Sequence, residues 1–473
     1  MNKLRRELQL TLGVVLALLL SIALAAESAQ DLYQRGLVQE HSKGDLKQAI
    51  ALYTKAAQAA GKDRALAAKA LIRMGGAQEK LGAEQDAEKT YGELLRIYPE
   101  QRAEVVVAQE RLKALRRTAK VISSSRVVQV DRVPDAELAV RLAAFLWSDL
   151  PDGQLAEVAR RGELDDPGVL QRQVVRMLRD RRSDALLDNF FARWLALDKL
   201  KTAKPDLLVF PQVDSELLEA MGTETRLFVQ SQLREDRDAM ELWTAPYTFV
   251  NERLARHYGL PGISGRDFRR VTRMNPNRAG LLGQASLLTV LSTKTRTSPT
   301  ARGKYVMNRF LGIDVPEPPA NIPGLAEPPG NAARTMREQM TAHRTNPACT
   351  SCHAMFDPLG FALENFDATG RWRTTDGGLP IDASGMFTDG TRFNGPIELR
   401  EGLLKRRGLF YANVTRQLLA YALSRKTPGR VYEYEMPAVR QIVLDASADG
   451  YRWSSLIAGI AASGPFQAKE IVP

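Results

Sequence analysis

Only two cysteines occur in the 473 residues, Cys349 and Cys352, and they stand three apart with His353 directly after them. A chain this long with two cysteines has no disulfide scaffold, so its folding rests on buried apolar surface. The spacing itself is more specific. Cys-x-x-Cys-His is the attachment signature of c-type haem. Each thiol adds across one porphyrin vinyl group, and two intervening residues put both sulfurs on one side of a short helical turn. The histidine that follows then points its imidazole at the iron as proximal ligand. Asn346-Pro347 fits as N-cap and first residue of that turn. Three rivals stay open. A thioredoxin-like pair wants the motif after a strand, in a βαβ setting, whereas helices and prolines flank this one. A zinc site would recruit Cys349, Cys352, His343 and His353, although adjacent Cys352 and His353 strain to meet one tetrahedral ion. The third is a chance arrangement of unused thiols.

The N-terminus bears on the compartment. Lys3, Arg5 and Arg6 precede an apolar stretch from Leu8 to Ala26 that ends in the small-x-small pattern Ala23-Leu24-Ala25. This reads as a signal peptide over residues 1–25, cleaved after Ala25. Left uncleaved, the same stretch would anchor the chain in a membrane. Export to the periplasm or cell surface agrees with covalent haem, which is attached outside the cytoplasm. The formal net charge of +11 is a modest excess for this length. No Lys/Arg run with interleaved aromatics occurs, which argues against a nucleic-acid partner.

Residues 30–117 contain a weak internal repeat. "GDLKQAIALYTKAAQ" from Gly44 aligns with "GAEQDAEKTYGELLRIYP" from Gly82, matching Gly44 with Gly82, Ala49 with Ala87 and Tyr53 with Tyr91. Glycine permits the tight turn, alanine the close approach of two helices, and tyrosine four residues on shares its face. With Gly75 and Pro99, the second copy resembles a tetratricopeptide repeat, and a helix from Gln101 to Arg117 is expected to cap the pair. Residues 118–134 lack a helical period and read as a linker. Helical punctuation then resumes. Asp135 and Ser183 are expected to cap helices. Asp166-Pro167 gives the N-cap and N1 order, Asn251 opens and Gly259 closes a helix, and Ser298-Pro299 opens one that Gly312 closes. Phe190, Phe191 and Trp194 should cluster on one face. The expected architecture is mainly α. Tetratricopeptide-like hairpins precede a helical domain over 135–265, a haem-bearing domain over 266–375 and a C-terminal helical domain over 376–473.

From about Asp135 onward the chain resembles the planctomycete-type secreted cytochrome c proteins, whose tandem domains are largely of unknown function. The resemblance is carried, in order, by "RLAAFLWSDLPD", "FVNERLARHYG", "LLTVLSTKTRTSPTARGKYVMNRFLG", "HRTNPACTSCHAMFDPLGFALENFDATGRWR", "DGTRFNGPIELREGLL" and "LLAYALSRKT" with "DGYRWSSLIAGIAASGPF". It implies an exported, haem-bearing protein and supplies no reaction. This chain departs from larger relatives in having one Cys-x-x-Cys-His, which excludes a multi-haem wire within it, and in its N-terminal repeat pair.

For the second axial position of the iron, His343 is the leading candidate, because the matching family segment usually carries a histidine there, ten residues before the histidine of the motif. Met386, an open site, His41 and His257 are weighed against it. Met355 lies on the wrong face. Phe361 and Phe366 are candidate walls of the haem, Arg371 or Arg373 a candidate partner for a propionate, and Trp372 a core residue. Asp357, Glu364 and Asp367 are candidate acids, weighed against capping or solvated roles, which are the leading reading. One-electron transfer is the leading expectation, with a redox partner protein and a further protein partner at the repeats. A haem enzyme acting on peroxide or an organic substrate is the second reading, and a scaffold with a structural haem the third.

Overall fold

The computed structural model describes residues 28–40, 45–81, 83–124, 132–272, 275–313, 315, 335–343, 347–425 and 431–469. It is mainly α-helical and divides into two compact units, Met1–Ser125 and Arg126–Pro473. The expected signal segment 1–25, His41, Gly44, Gly82 and most of the proline-rich run 315–330 lie outside the described residues.

In the first unit, α1 (Ala29–Val38), α2 (Leu46–Ala59), α3 (Arg64–Lys80) and α4 (Glu84–Ile97) form two helical hairpins, followed by α5 (Arg102–Ser124). Asp45 and Asp63 start α2 and α3 by accepting from the amides of Gln48 and Leu66, which satisfies N–H groups that have no partner inside the helix. Helix α2 buries Ala49, Leu52, Tyr53 and Ala56, one stripe at helical spacing. Both hairpins use the same lock. The Tyr53 ring covers Gly36 and the Tyr91 ring covers Gly75, so closely that a Cβ on either glycine would overlap it. Each hydroxyl then donates to a glutamate of the preceding helical segment, Glu40 or Glu79. Ala49 and Ala87, the other matched pair, are both fully buried. Helix α5 runs on to Ser124, into the stretch read as a linker.

The longer helices of the second unit are α6 (Asp135–Trp147), α7 (Gly153–Arg160), α8 (Pro167–Arg179), α9 (Ser215–Arg234), α10 (Glu252–Tyr258), α11 (Ala285–Val290) and α12 (Pro299–Tyr305), then α13 (Met336–His343), α14 (Pro347–Phe361), α15 (Gly395–Leu404), α16 (Arg407–Ala422), α17 (Met436–Ala446) and α18 (Trp453–Ala462). Asp166, Asn251 and Ser298 cap α8, α10 and α12 through the amides of Val169, Leu254 and Ala301. Gly259 and Gly312 end their helices with φ of +70° and +67°. Two expected caps take other partners. The Asp135 carboxylate, one residue inside α6, accepts from the amide of Leu164. The Ser183 hydroxyl donates to the carbonyl of Leu178. Beyond Ser183 the helix is broken by a π-turn at Leu187–Phe191, which packs Phe190, Phe191 and Trp194 against one another in the core.

One continuous apolar core takes residues from Val133 to Phe466 and draws on all three sequence segments of this unit. The only strands among the described residues form three two-stranded antiparallel ribbons. Strand β1 (Thr248–Val250) pairs with β2 (Arg269–Val271), β3 (Thr375–Asp376) with β4 (Leu379–Pro380), and β5 (Ser384–Met386) with β6 (Arg392–Asn394). The last two ribbons lie between α14 and α15. The ends of the unit meet: the amide of Val133 donates to the carbonyl of Gln467 at 2.8 Å, and Arg141 bonds the carbonyls of Phe466 and Ala468.

Candidate functional site

Helix α14 begins at Pro347, and its first two turns carry Cys349, Cys352 and His353. Proline at the first helical position needs no amide partner, and its fixed φ suits the helix. The three-residue spacing puts Cys349 and Cys352 on neighbouring positions of one helical face. Their side chains, Asn346 and the side chain of His343 lie outside the described residues.

His353 is described, and it is held. Its Nδ1 stands 2.9 Å from Oδ2 of Asp357, one helical turn on, and its ring centroid lies 5.0 Å from that of Phe356. Asp357 is fully buried, and its Oδ1 accepts from the hydroxyl of Thr300 in α12 at 2.8 Å. A carboxylate oxygen only accepts, so Nδ1 carries the hydrogen and Nε2 keeps its lone pair. Among the described residues no hydrogen bond engages that Nε2. An iron ligand needs this arrangement: one ring nitrogen bonded behind, the other open in front.

The helix that presents His353 is clamped onto α12. Gly303 lies against the carbonyl of Phe356, and Gly360 against the carbonyl of Pro299. Just past α14 the chain leaves the helix, and its carbonyls need new donors. Arg302, fully buried, supplies them, donating to the carbonyl oxygens of Leu363, Phe366 and Asp367 at 2.7 to 2.8 Å. The Arg302 guanidinium also stands 3.4 Å from the Glu364 carboxylate. Glu364 accepts from Thr297 at 2.7 Å and from Arg373, which in turn reaches Asp376 at 2.6 Å. Burial lowers Arg302 to about 10, leaving it charged at neutral pH, and raises Glu364. Glu364 is thus an internal ion-pair partner rather than a solvated acid.

Helix α13 docks on the far end of α14. Met336 and Met340 bury Phe361, and the Arg337 guanidinium lies 4.1 Å from its ring centroid. Arg337 also bonds the carbonyl oxygens of Asp382 and Ser384, and the Met336 amide donates to Asp376, which ties α13 to the ribbon region. Phe361 is therefore walled by α13. His343 falls three positions after Met340, one turn along the same helix.

The remaining candidates separate. Phe366 is fully buried core, edge-on to Trp372 at 5.1 Å and facing the Arg278 guanidinium at 5.0 Å. This corrects its expected place against a cofactor: no part of its side chain is left accessible. Arg371 is exposed on a turn that Asp367 caps by accepting from the Thr369 and Arg371 amides. No described contact joins Arg371 to His353. Met386 is half exposed on β5, and Met355 packs against the main core. His257 is buried with Nε2 on the carbonyl of Thr369 at 2.8 Å, and burial lowers its pKa to about 4.

A second buried polar group is reached through Tyr258, the residue after His257. Glu224 accepts from Thr248 at 2.6 Å and from Tyr258 at 2.5 Å, and burial raises its pKa to about 7. Arg278 stacks over Tyr258 at 4.0 Å and donates to the carbonyl of Gly370 at 2.7 Å. No group of three or more His, Cys, Asp or Glu among the described residues could hold a metal ion.

The sequence reading missed the structural roles of Thr300, Arg302 and Asp357. One signal was present for Asp357: the four-residue step from His353 puts both on one helix face.

Three family models match the chain in tandem, each described as a protein of unknown function: DUF1592 over residues 133–260, DUF1588 over 278–376 and DUF1585 over 389–466. The second match contains α12, α14 and the residues that bind them. No curated protein and no solved structure matches the chain. The three domains in this order are the series of the planctomycete-type cytochrome c proteins, and the chain belongs to that family.

Proposed function

We propose that this member of the family is an exported monohaem c-type cytochrome that passes single electrons within a periplasmic or cell-surface assembly. One observation supports the reading above others: His353, directly after the only two cysteines, has Nδ1 held by Asp357 and Nε2 without a described partner. Cys349 and Cys352 would hold haem c covalently, and His353 would ligate its iron. The bound group supplies a ferric/ferrous couple. The chain's own residues give that couple a rigid seat, because Arg302, Gly303 and Gly360 leave α14 little freedom to shift. His343, on the helix that docks on the far end of α14, would be the candidate second protein ligand of the iron. Arg371, exposed, is the candidate for pairing with a propionate, and Phe361 would meet the group only alongside α13. A redox partner protein would exchange the electron, and the helical hairpins offer a groove to a further protein.

Protein made with the cytochrome c maturation machinery and run on a denaturing gel should retain peroxidase stain. Cys349→Ser with Cys352→Ser should abolish it. No stain from intact wild-type protein would end the reading. Carbon monoxide decides between carrier and enzyme. A carrier with both axial positions filled binds it poorly when reduced. Ready binding by the wild type would favour a haem enzyme acting on peroxide or an organic substrate.

A further inference from the structure

The bond behind His353 goes to a carboxylate, and to a buried one. A histidine near the start of a helix could turn Nδ1 toward water or toward a backbone carbonyl. Here it meets Asp357, four residues on, whose side chain is fully excluded from solvent. A buried charge is costly unless it is paired and hydrogen-bonded. Asp357 meets that condition on two sides, with His353 on Oδ2 and Thr300 on Oδ1 at 2.8 Å. The Thr300 contact matters for geometry. It comes from α12, not from the helix that carries the cysteines, so the plane of the carboxylate is set from outside α14. The clamp at Gly303 and Gly360 then fixes the distance between the two helices. Away from water, the pull of the carboxylate on the Nδ1 hydrogen is screened far less than at a surface.

We propose that Asp357 is a positioning and potential-setting residue for the iron ligand His353. This rests on the haem reading above. Asp357 holds the imidazole in the tautomer whose Nε2 faces the metal, and it draws the Nδ1 hydrogen toward itself. The ring gains anionic character and becomes a stronger donor through Nε2. Ferric iron carries one more positive charge than ferrous iron, so a more anionic ligand favours the ferric state. The couple therefore stands at a lower reduction potential than a carbonyl-bonded histidine would give it.

The test uses the full chain carrying its covalent haem, titrated against an electrode with mediators. Asp357→Asn keeps the shape and the Thr300 contact and removes the charge. It should raise the ferrous/ferric ratio at a fixed electrode potential at least tenfold, a shift of about 59 mV for a one-electron couple. Thr300→Val should move the potential the other way, because it takes a donor from the carboxylate and leaves more of its charge to the histidine. A residue that merely pins the helix would change both variants alike, through lost protein or lost haem. If Asp357→Asn does not fold, Thr300→Val decides alone: a lower potential supports the proposal, and an unchanged or higher one overturns it. Stained, haem-loaded protein with an unshifted Asp357→Asn potential also overturns it, leaving the haem reading standing. Absence of haem from the wild type would instead remove that reading.

Discussion

Gly303 of α12 and Gly360 of α14 bring two helices together backbone against backbone. A Cβ on Gly303 would overlap the carbonyl of Phe356, and one on Gly360 the carbonyl of Pro299. Neither obstacle is a side chain that can swing aside. Gly303→Ala and Gly360→Ala should each cost about 1–3 kcal/mol, the range for overpacking a tight core. Gly408 in α16 meets nothing within 4 Å, so Gly408→Ala is the control and should be neutral or stabilising by up to about 1 kcal/mol. Urea unfolding followed by circular dichroism measures all three. Equal stabilities would show that the helices slide apart at little cost.

Arg302 is the donor for three carbonyls beyond α14 and a partner of buried Glu364. Arg302→Met keeps much of the volume and leaves those acceptors unpaired. Breaking a buried charged pair from one side costs about 3–5 kcal/mol. The same unfolding experiment should show a loss in that range. A loss under about 1 kcal/mol would mean that water or Arg373 takes over.

Glu224 and His257 make opposite contributions as pH changes. Burial raises Glu224 to about 7 from an ordinary 4.5. Between those values the folded protein keeps a proton that the unfolded chain has released, so stability falls as pH rises. His257 is lowered from 6.5 to about 4. Between those values the unfolded chain takes up a proton that the folded protein refuses, so stability rises with pH. The two slopes nearly offset between pH 5 and 7. Glu224→Gln should expose the histidine slope, making the variant gain about 2 kcal/mol relative to wild type between pH 5 and 7. His257→Gln should show a loss of similar size. Parallel stability curves for wild type and Glu224→Gln would refute the assignment.

Gly75 lies under the Tyr91 ring. Gly75→Ala should push that ring out of the second hairpin and speed amide hydrogen exchange in residues 64–97 about tenfold or more. Residues 133–466, in the other unit, should exchange at the wild-type rate. Faster exchange in both would mean that the units share their stability.

The legible parts of this protein were those whose physics is local. Asp166, Asn251 and Ser298 cap helices because a short acceptor before an amphipathic stripe meets amides two or three residues away. Tyr53 and Tyr91 matched because each hairpin needs the same large side chain against the same gap, although its partner Gly36 went unseen. Arg302 and Asp357 were opaque. "TARGK" and "AMFDP" read like ordinary surface, and burial comes from α12 and α14 meeting across more than 40 intervening positions. Phe366 was misplaced for the same reason, since its neighbour Arg278 arrives from a distant segment. The Ser183 helix failed differently: the helix starts after Ser183 without its hydroxyl as cap, and a π-turn at Leu187–Phe191 interrupts the run that Phe190, Phe191 and Trp194 share.

The pairing of Val133 with Gln467 also has a consequence in time. A polypeptide leaves the ribosome from its N-terminus. The segment entering α6 must therefore wait for nearly the whole of the second unit before its last partner exists. Until residues 466–468 arrive, Arg141 has no carbonyls to bind and Phe145 lacks the Phe466 ring 6.0 Å away. Contacts this far apart in sequence form slowly. The body should behave as a late-closing ring, with a growing chain that is open at the seam and vulnerable to proteases there until its final helices dock.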